Sequence, residues 1–305
     1  MSDRLPNLLV AGVPKAGTSS LFRYLVQHPD ICGSVVKEVR YFNPLRHEGS
    51  LPAIDSYADQ FEHWNGERYL LEATPGYCYG GRSLLEGIKS TLGSPKILLI
   101  LRDPIDRLWS AYTWRRSNGH LRGVKSFDHY LAICEEKRRK GEKQGPHFGG
   151  LTVSFYGDYL PTVFEVFPEV KVVFTERMAA DPAVVISDIC RWLEIDDEVP
   201  LTFHYQRQNT TVHPKSLLLT RWAKGVRDAT DSILRQSPVI KNRVRKTYLK
   251  LNSTSRPSEK LSDETKRKLQ ALFQQSNATV AALLAREGYT DLPAWLLPPV
   301  IATQS

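Results

Sequence analysis

The chain has 305 residues, 41% hydrophobic and 24% charged, a balance that excludes a fibrous or disordered chain and leaves length for one large or two small domains. Lysine and arginine outnumber aspartate and glutamate, 41 to 33, and the net charge of +8 favours an anionic partner: a nucleotide, an acidic substrate, nucleic acid or a membrane surface, against the plainer alternative of a basic exterior. Cys32, Cys78, Cys134 and Cys190 form no C-x-x-C pair, which excludes a zinc or disulfide framework and fits reduced thiols in a cytoplasmic protein.

The first residues, MSDRLPNLLVAGV, hold too short an apolar run for a signal peptide, and no stretch approaches the ~20 apolar residues of a membrane span. The expected location is therefore cytoplasmic. In chain order, LLVAGV (Leu8 to Val13) reads as a buried strand, and Thr18 to Gln27 as a helix ended by His28-Pro29. YLLEA (Tyr69 to Ala73) and KILLIL (Lys96 to Leu101) read as the second and third strands, and VKVVFT (Val170 to Thr175) as the fourth. Helices are predicted over Arg82–Leu92, Ile105–Ser117, Phe127–Lys140, Tyr156–Phe167 and Ala183–Leu193, with Arg138–Gly150 a mobile loop. Strands alternating with helices predict an α/β fold with a largely parallel sheet. From Ser216 onward the pattern is helical and basic with no clear strand, and Thr265 to Arg286 has helical spacing of Leu269, Leu272, Phe273, Val280 and Leu283. One domain over 1–305 is expected, with an α/β cofactor-binding core at 1–215 and a helical cover or substrate-side subdomain at 216–305.

Two motifs follow strands. GVPKAGTSS (Gly12 to Ser20) has the outline of a phosphate loop between strand and helix, where glycines let backbone N–H groups approach an anion and the helix dipole favours negative charge. The ATPase-type loop carries its lysine directly after the second glycine; here Thr18 holds that place and Lys15 sits inside the loop. An ordinary tight turn would look the same in isolation. LRDPIDRLWSAY (Leu101 to Tyr112) puts Arg102 at the carboxyl end of KILLIL, where open α/β sheets hold ligands, with Arg107 and Ser110 on one helix face. Arg102 alone could be a salt-bridged surface residue, but two anion-binding elements after two strands predict a shared crevice for Lys15, Arg102 and Ser110.

Pro14 to Leu21 resembles the 5′-phosphosulfate loop of sulfotransferases that use 3′-phosphoadenylyl sulfate (PAPS), and Arg102-Asp103-Pro104 with Arg107, Ser110 and Tyr112 resembles their 3′-phosphate motif. YLVQHPDI and KEVRYFN (Lys37 to Asn43) resemble the carbohydrate, heparan sulfate-type branch, over residues 8 to about 195. The resemblance implies a P-loop-like parallel sheet flanked by helices and a helical C-terminal region. It implies transfer of a sulfuryl group from PAPS to a hydroxyl of a carbohydrate, glycolipid or secondary-metabolite acceptor, with adenosine 3′,5′-bisphosphate as product and no metal. Pro14, Lys15, Ala16, Gly17, Thr18, Ser19, Ser20, Arg102 and Ser110 would bind the cofactor, and Arg207 and Lys215 in HYQRQNTTVHPKS are candidates for a second cofactor loop. An ammonium inside the loop reaches the bridging oxygen on which charge builds as the S–O bond breaks.

Glu38 matches the base of the heparan-type enzymes, although it could instead form an ion pair with Lys37 or Arg40; Glu72, at a strand's carboxyl end, is the runner-up, and His28 a third candidate with a structural alternative. Arg40 stands where those enzymes often have histidine and Ala73 where they have lysine, and their cysteine pair is missing, so a glycosaminoglycan acceptor is not implied. In FTER (Phe174 to Arg177) a threonine replaces a stacking tyrosine, which leaves Trp109, Tyr112 or Tyr156 to meet the adenine unless they are core. A soluble bacterial-type enzyme with a small-molecule or glycan acceptor and no nucleic acid is expected, with peripheral membrane contact through the basic Arg221 to Lys250. The rivals are a P-loop nucleotide kinase or NTPase, which wants a lysine after Gly17, and a non-enzymatic basic protein binding nucleic acid or membrane.

Overall fold

Strand β1 (Leu8–Gly12) is buried at every residue, as a central strand covered on both faces must be. The computed structural model describes residues 4–142, 145–206, 213–214, 253–254 and 259–297. These residues form two compact units, one of 4–104, 155–206 and 273–297, the other drawn from 105–154 and 209–272.

In the first unit, β1 leads into α1 (Thr18–Leu25) and then β2 (Ile31–Gly33). After α2 (Ile54–Ala58) come β3 (Tyr69–Glu72), α3 (Arg82–Leu92) and β4 (Lys96–Leu101). The sheet order is β2-β3-β1-β4, completed beyond β4 by a fifth strand, β5 (Val170–Phe174), and every pairing is parallel. The register runs Leu8↔Leu71, Leu8↔Lys96 and Ile97↔Val170, with one irregularity between Val10 and Gly12 on the β4 side. β1 is thus central, and the chain leaves it toward β3 on one side and β4 on the other. That reversal is where an open α/β sheet binds ligands, outside the carboxyl ends of its strands. The expected α/β class and parallel sheet are observed. β2, three residues long, carries too little pattern to be legible in the sequence.

The helix expected over Tyr156–Phe167 is a 3-10 turn at Tyr156–Asp158 followed by a helix at Leu160–Val166. Pro161 is the reason: it lacks an N–H and is tolerated in a first turn, so the helix restarts around it. The helix at Pro182–Leu193 is capped by the Asp181 carboxylate, which accepts from the Val184 N–H at 3.1 Å. Residues 273–297 cover this unit: Val280, Leu283, Leu284 and Leu296 join its core, and the Tyr289 hydroxyl accepts the outward N–H of Val172 on edge strand β5 at 2.7 Å.

In the second unit, α4 (Pro104–Ser117) continues from residue 105 and is followed by α5 (Phe127–Arg139), whose Ser126 cap accepts from His129 N. The segment expected to be a mobile loop instead forms α6 (Gly145–Phe148) and enters α7 (Gly150–Val153). Gly150 is buried, and a Cβ there would lie 2.4 Å from the Tyr130 hydroxyl. Arg107 is buried and donates to the Ser154 hydroxyl and the Gly150 carbonyl, so it anchors this turn. Glu259 accepts from the Tyr112 hydroxyl, Arg116 and the Phe127 N–H at 2.6–2.8 Å. The first unit also holds the helices α8 (Leu160–Val166), α9 (Thr175–Ala180) and α10 (Pro182–Leu193); the later described residues include a two-residue antiparallel pair, β6 (His213–Pro214) with β7 (Ser253–Thr254), and the helix α11 (Asp263–Arg286). The β7 pairing departs from the strandless expectation after Ser216; a two-residue ladder has no periodicity to read. Arg221 to Lys250 lies outside the described residues. No helix among the described residues is long and apolar enough to cross a membrane.

Candidate functional site

The carboxyl ends of β1, β3, β4 and β5 bring four loops of the first unit together. Gly12 ends β1 against Cys78: a Cβ would lie 2.3 Å from its Sγ, so glycine is required there by packing. The chain then turns through Pro14, Lys15 and Ala16, with Ala16 buried and Pro14 and Lys15 half-buried. Lys15 and Gly17 both have left-handed backbones, at φ 73 and φ 101. The lysine occupies a region costly for a side chain, a strain characteristic of ligand-clamping loops. Gly17 caps α1, its carbonyl accepting from Ser20 N and Leu21 N at 3.0 Å. Thr18 and Ser20 are buried and Ser19 is half-buried. The first turn of α1 has no acidic residue, which leaves the positive end of the helix dipole available to an anion.

Arg102 follows β4 and donates through Nη1 to the Lys15 carbonyl at 3.3 Å, so the start of the second motif meets the glycine loop at this switch point. Tyr156 is buried and donates to the Arg102 carbonyl at 2.8 Å. Thr175, at the end of β5, bridges the Ala16 and Leu101 carbonyls at 2.5 and 2.9 Å. Thr175, half-buried, is therefore spent on pinning the loop, a task sequence reasoning did not assign, and Tyr156, in the core, is spent on fixing Arg102. Tyr112 is likewise buried and bonded to Glu259. Asp103 N donates to the Glu176 carboxylate at 2.8 Å, closing the β4 turn onto α9.

Ser110 is half-buried in α4, in the second unit. Arg207 and Lys215 lie outside the described residues.

Glu38 stands on the loop after β2 with φ 68, and Arg40 has φ 62. Its carboxylate pairs with Lys37 Nζ at 3.0 Å and Arg40 Nη2 at 2.8 Å, so the ion pairs weighed against catalysis do form. Partial burial raises the Glu38 carboxyl, but the Arg40 and Lys37 cations outweigh it and hold the pKa below the ordinary value. The group is half-buried and ionised, with water access for a partner to approach.

Glu72 has a different environment. It is fully buried at the end of β3, and desolvation pushes its pKa to about 7 against the hydrogen bonds from Thr74, Tyr77, Tyr57 and the Val39 backbone. Thr74 Oγ1 donates to it at 2.5 Å and Tyr57 Oη at 3.3 Å. These hydroxyls, from residues that carry no catalytic signature, are the contacts missed in the sequence. His28 is buried with Nδ1 accepting from Asp30 N at 3.1 Å, which leaves Nε2 to donate to the Asp196 carbonyl at 2.9 Å. Both ring nitrogens are committed, as the structural alternative for this residue expected.

The sulfotransferase domain family matches residues 5–216. Over 203 residues the chain is 29% identical to human bifunctional heparan sulfate N-deacetylase/N-sulfotransferase 3, an alignment covering 63% of this chain and 23% of that protein. It is 34% identical over 134 residues to the membrane-associated sulfotransferase kil1 of Dictyostelium discoideum, covering 42% of this chain and 27% of the relative. The chain thus spans about a quarter of the length of these curated relatives. The crystal structure of a sulfotransferase from Alicyclobacillus acidocaldarius is similar over 95% of this chain and 98% of its own, with a TM-score of 0.67 at 25% identity. An in-loop lysine before an acid-free helix start, an arginine from the neighbouring strand bonded to that lysine's carbonyl, and a family match over residues 5–216 lead to one assignment: the chain belongs to the sulfotransferase domain family.

Proposed function

We propose that the protein transfers a sulfuryl group from PAPS to a hydroxyl of a carbohydrate, glycolipid or secondary-metabolite acceptor by in-line displacement. The observation that carries this is the Lys15 loop itself: a left-handed lysine inside a glycine turn, before a helix start without acidic residues, tied to Arg102 at the sheet's switch point. The donor set (an ammonium, backbone N–H groups, hydroxyls and a guanidinium) fits a doubly anionic nucleotide. PAPS, when bound, supplies an electrophilic sulfuryl group on a phosphate leaving group. Pro14 to Ser20 receive the 5′-phosphosulfate, and the Lys15 ammonium faces the charge that develops as that group leaves. By the motif resemblance Arg102 and Ser110 are assigned to the 3′-phosphate, and Arg207 and Lys215 are the candidates for a second cofactor loop. Glu38, ionised and half-buried, takes the proton of the acceptor hydroxyl.

The heparan sulfate relatives favour a glycan acceptor, whereas Arg40 and Ala73 depart from their pattern and keep smaller acceptors in view. A cytoplasmic location and membrane contact through the basic segment belong to the same proposal. Calorimetry with adenosine 3′,5′-bisphosphate and with ATP–magnesium tests the donor: tight binding of the bisphosphate supports the proposal, and binding of ATP–magnesium alone favours a kinase. Incubation with PAPS and a cell-extract library, read by mass spectrometry for products heavier by the sulfuryl mass, then identifies the acceptor.

A further inference from the structure

We infer that Glu72 is a positioning residue for the base loop: its buried carboxylate, directly and through two hydroxyls, holds the backbone of residues 39–42 in the conformation that presents Glu38. This rests on the proposed transfer with Glu38 as base.

Three backbone N–H groups of the loop end on one cluster. The Val39 N–H bonds Glu72 itself. Arg40 N donates to Thr74 Oγ1 at 3.1 Å, and Phe42 N to the Tyr77 hydroxyl at 3.5 Å. The hydroxyls then donate onward: Thr74 to Glu72 Oε1 at 2.5 Å, and Tyr77 to the same carboxylate. Tyr57 from α2 donates to Oε2 at 3.3 Å. The bonds from Arg40 through Thr74 and from Tyr57 run toward Glu72, with Thr74 and Tyr77 also bonded to each other, so the carboxylate, when ionised, is the acceptor on which these donors terminate. A neutral carboxyl or an amide would turn one terminal atom into a donor facing donors.

The loop needs such support. Glu38 and Arg40 are both non-glycine residues with left-handed φ, a state that persists only where surroundings over-determine it. The bonds at Val39 and Arg40 sit directly after Glu38 and across Arg40. Glu72 itself is wholly shielded and has no surface to offer an acceptor, which fits a positioning role and not a base. The titratable groups facing it are the Tyr57 and Tyr77 hydroxyls, with Tyr41 stacked on Tyr57 at 4.3 Å; the charged Lys37, Glu38 and Arg40 belong to the loop it holds.

The test is amide hydrogen exchange on the full-length protein, wild type against Glu72→Gln, with adenosine 3′,5′-bisphosphate affinity measured in parallel. Exchange at residues 39–42 is expected to accelerate at least about tenfold in the variant while residues 8–13 and the bisphosphate affinity stay as in wild type. In wild type the loop's protection, referenced to residues 8–13, is expected to fall as pH drops through about 7, where Glu72 takes up its proton, and this step is expected to vanish in Glu72→Gln. Thr74→Val is the second variant should Glu72→Gln not fold; it loosens the same amides, and Thr74→Ser recovers them. Unchanged loop exchange in folded Glu72→Gln or Thr74→Val, or a pH step that survives in Glu72→Gln, overturns the inference. Failure of wild type to bind the bisphosphate would instead overturn the proposed function and leave the exchange result standing.

Discussion

The Arg102 guanidinium donates to the backbone carbonyl of Lys15, so the residue expected to hold the 3′-phosphate also holds the loop expected to hold the 5′-phosphosulfate. Removing it should act at both ends of the nucleotide. Arg102→Ala is expected to weaken adenosine 3′,5′-bisphosphate binding by about 1.5–3 kcal/mol, roughly 10- to 100-fold, and AMP binding by much less. Arg102→Lys should not restore it, because an ammonium lacks the planar fork. Equal losses for the two nucleotides in calorimetry would show that Arg102 serves the loop alone.

Lys15 is placed to act on turnover more than on binding. Lys15→Ala should fold normally, since the side chain is half-buried in a surface loop. Its kcat should fall by about 10²–10³, the equivalent of ~3–4 kcal/mol for one lost charge contact in the transition state. Near wild-type turnover in a folded variant would remove Lys15 from the chemistry.

Glu38→Gln keeps the size and polarity of the side chain but not its basicity. It is expected to abolish sulfuryl transfer and leave bisphosphate affinity nearly unchanged. The Arg40 and Lys37 pairs hold Glu38 below the ordinary carboxylate value, so its acid limb in kcat lies below that value in wild type. Arg40→Ala removes one of the two cations and should move that limb upward. A limb that stays in place would mean the ion pair does not govern the base.

Gly17 is the one position of the loop where backbone geometry demands glycine. At φ 101, alanine would be strained, and its Cβ would meet Met178 Cε at 2.9 Å. Gly17→Ala is expected to cost about 1–2 kcal/mol of stability. Thermal unfolding and bisphosphate titration should shift together. Retained affinity alongside reduced stability would separate the loop's conformation from its binding role.

Glu72 makes stability depend on pH with a definite sign. Its folded pKa, about 7, lies above the ordinary 4.5, so between those values the folded chain binds more protons than the unfolded one. Stability from this group is therefore present at low pH and is lost as pH rises toward 7, by on the order of 3 kcal/mol. Glu72→Gln cannot titrate. Urea unfolding at pH 5 and pH 8 should show the variant gaining on wild type by roughly that amount at the higher pH; a constant difference would contradict the raised pKa.

Much of this was legible in the linear chain. KILLIL, LLVAG and VKVVF are predominantly apolar runs, and burial within a parallel sheet covered on both faces favours such runs. The lysine within GVPKAGTSS and the arginine after KILLIL are local signals, because a strand's end fixes where the next residue stands. Tertiary structure alone decided the rest. Thr175, which the motif marks as a missing stacking residue, pins the phosphate loop; Tyr156 fixes Arg102; Arg107 anchors a turn at Gly150. The two glutamates separate most clearly. Glu38 and Glu72 are equivalent as letters, each a carboxylate beside an element's end. One ends half-exposed between two cations, and the other ends fully buried among hydroxyls brought from α2 and the turn after β3. The downward shift of Glu38 comes from Lys37 and Arg40, its neighbours in the sequence, whereas the upward shift of Glu72 comes from desolvation, which only the packing around the end of β3 creates.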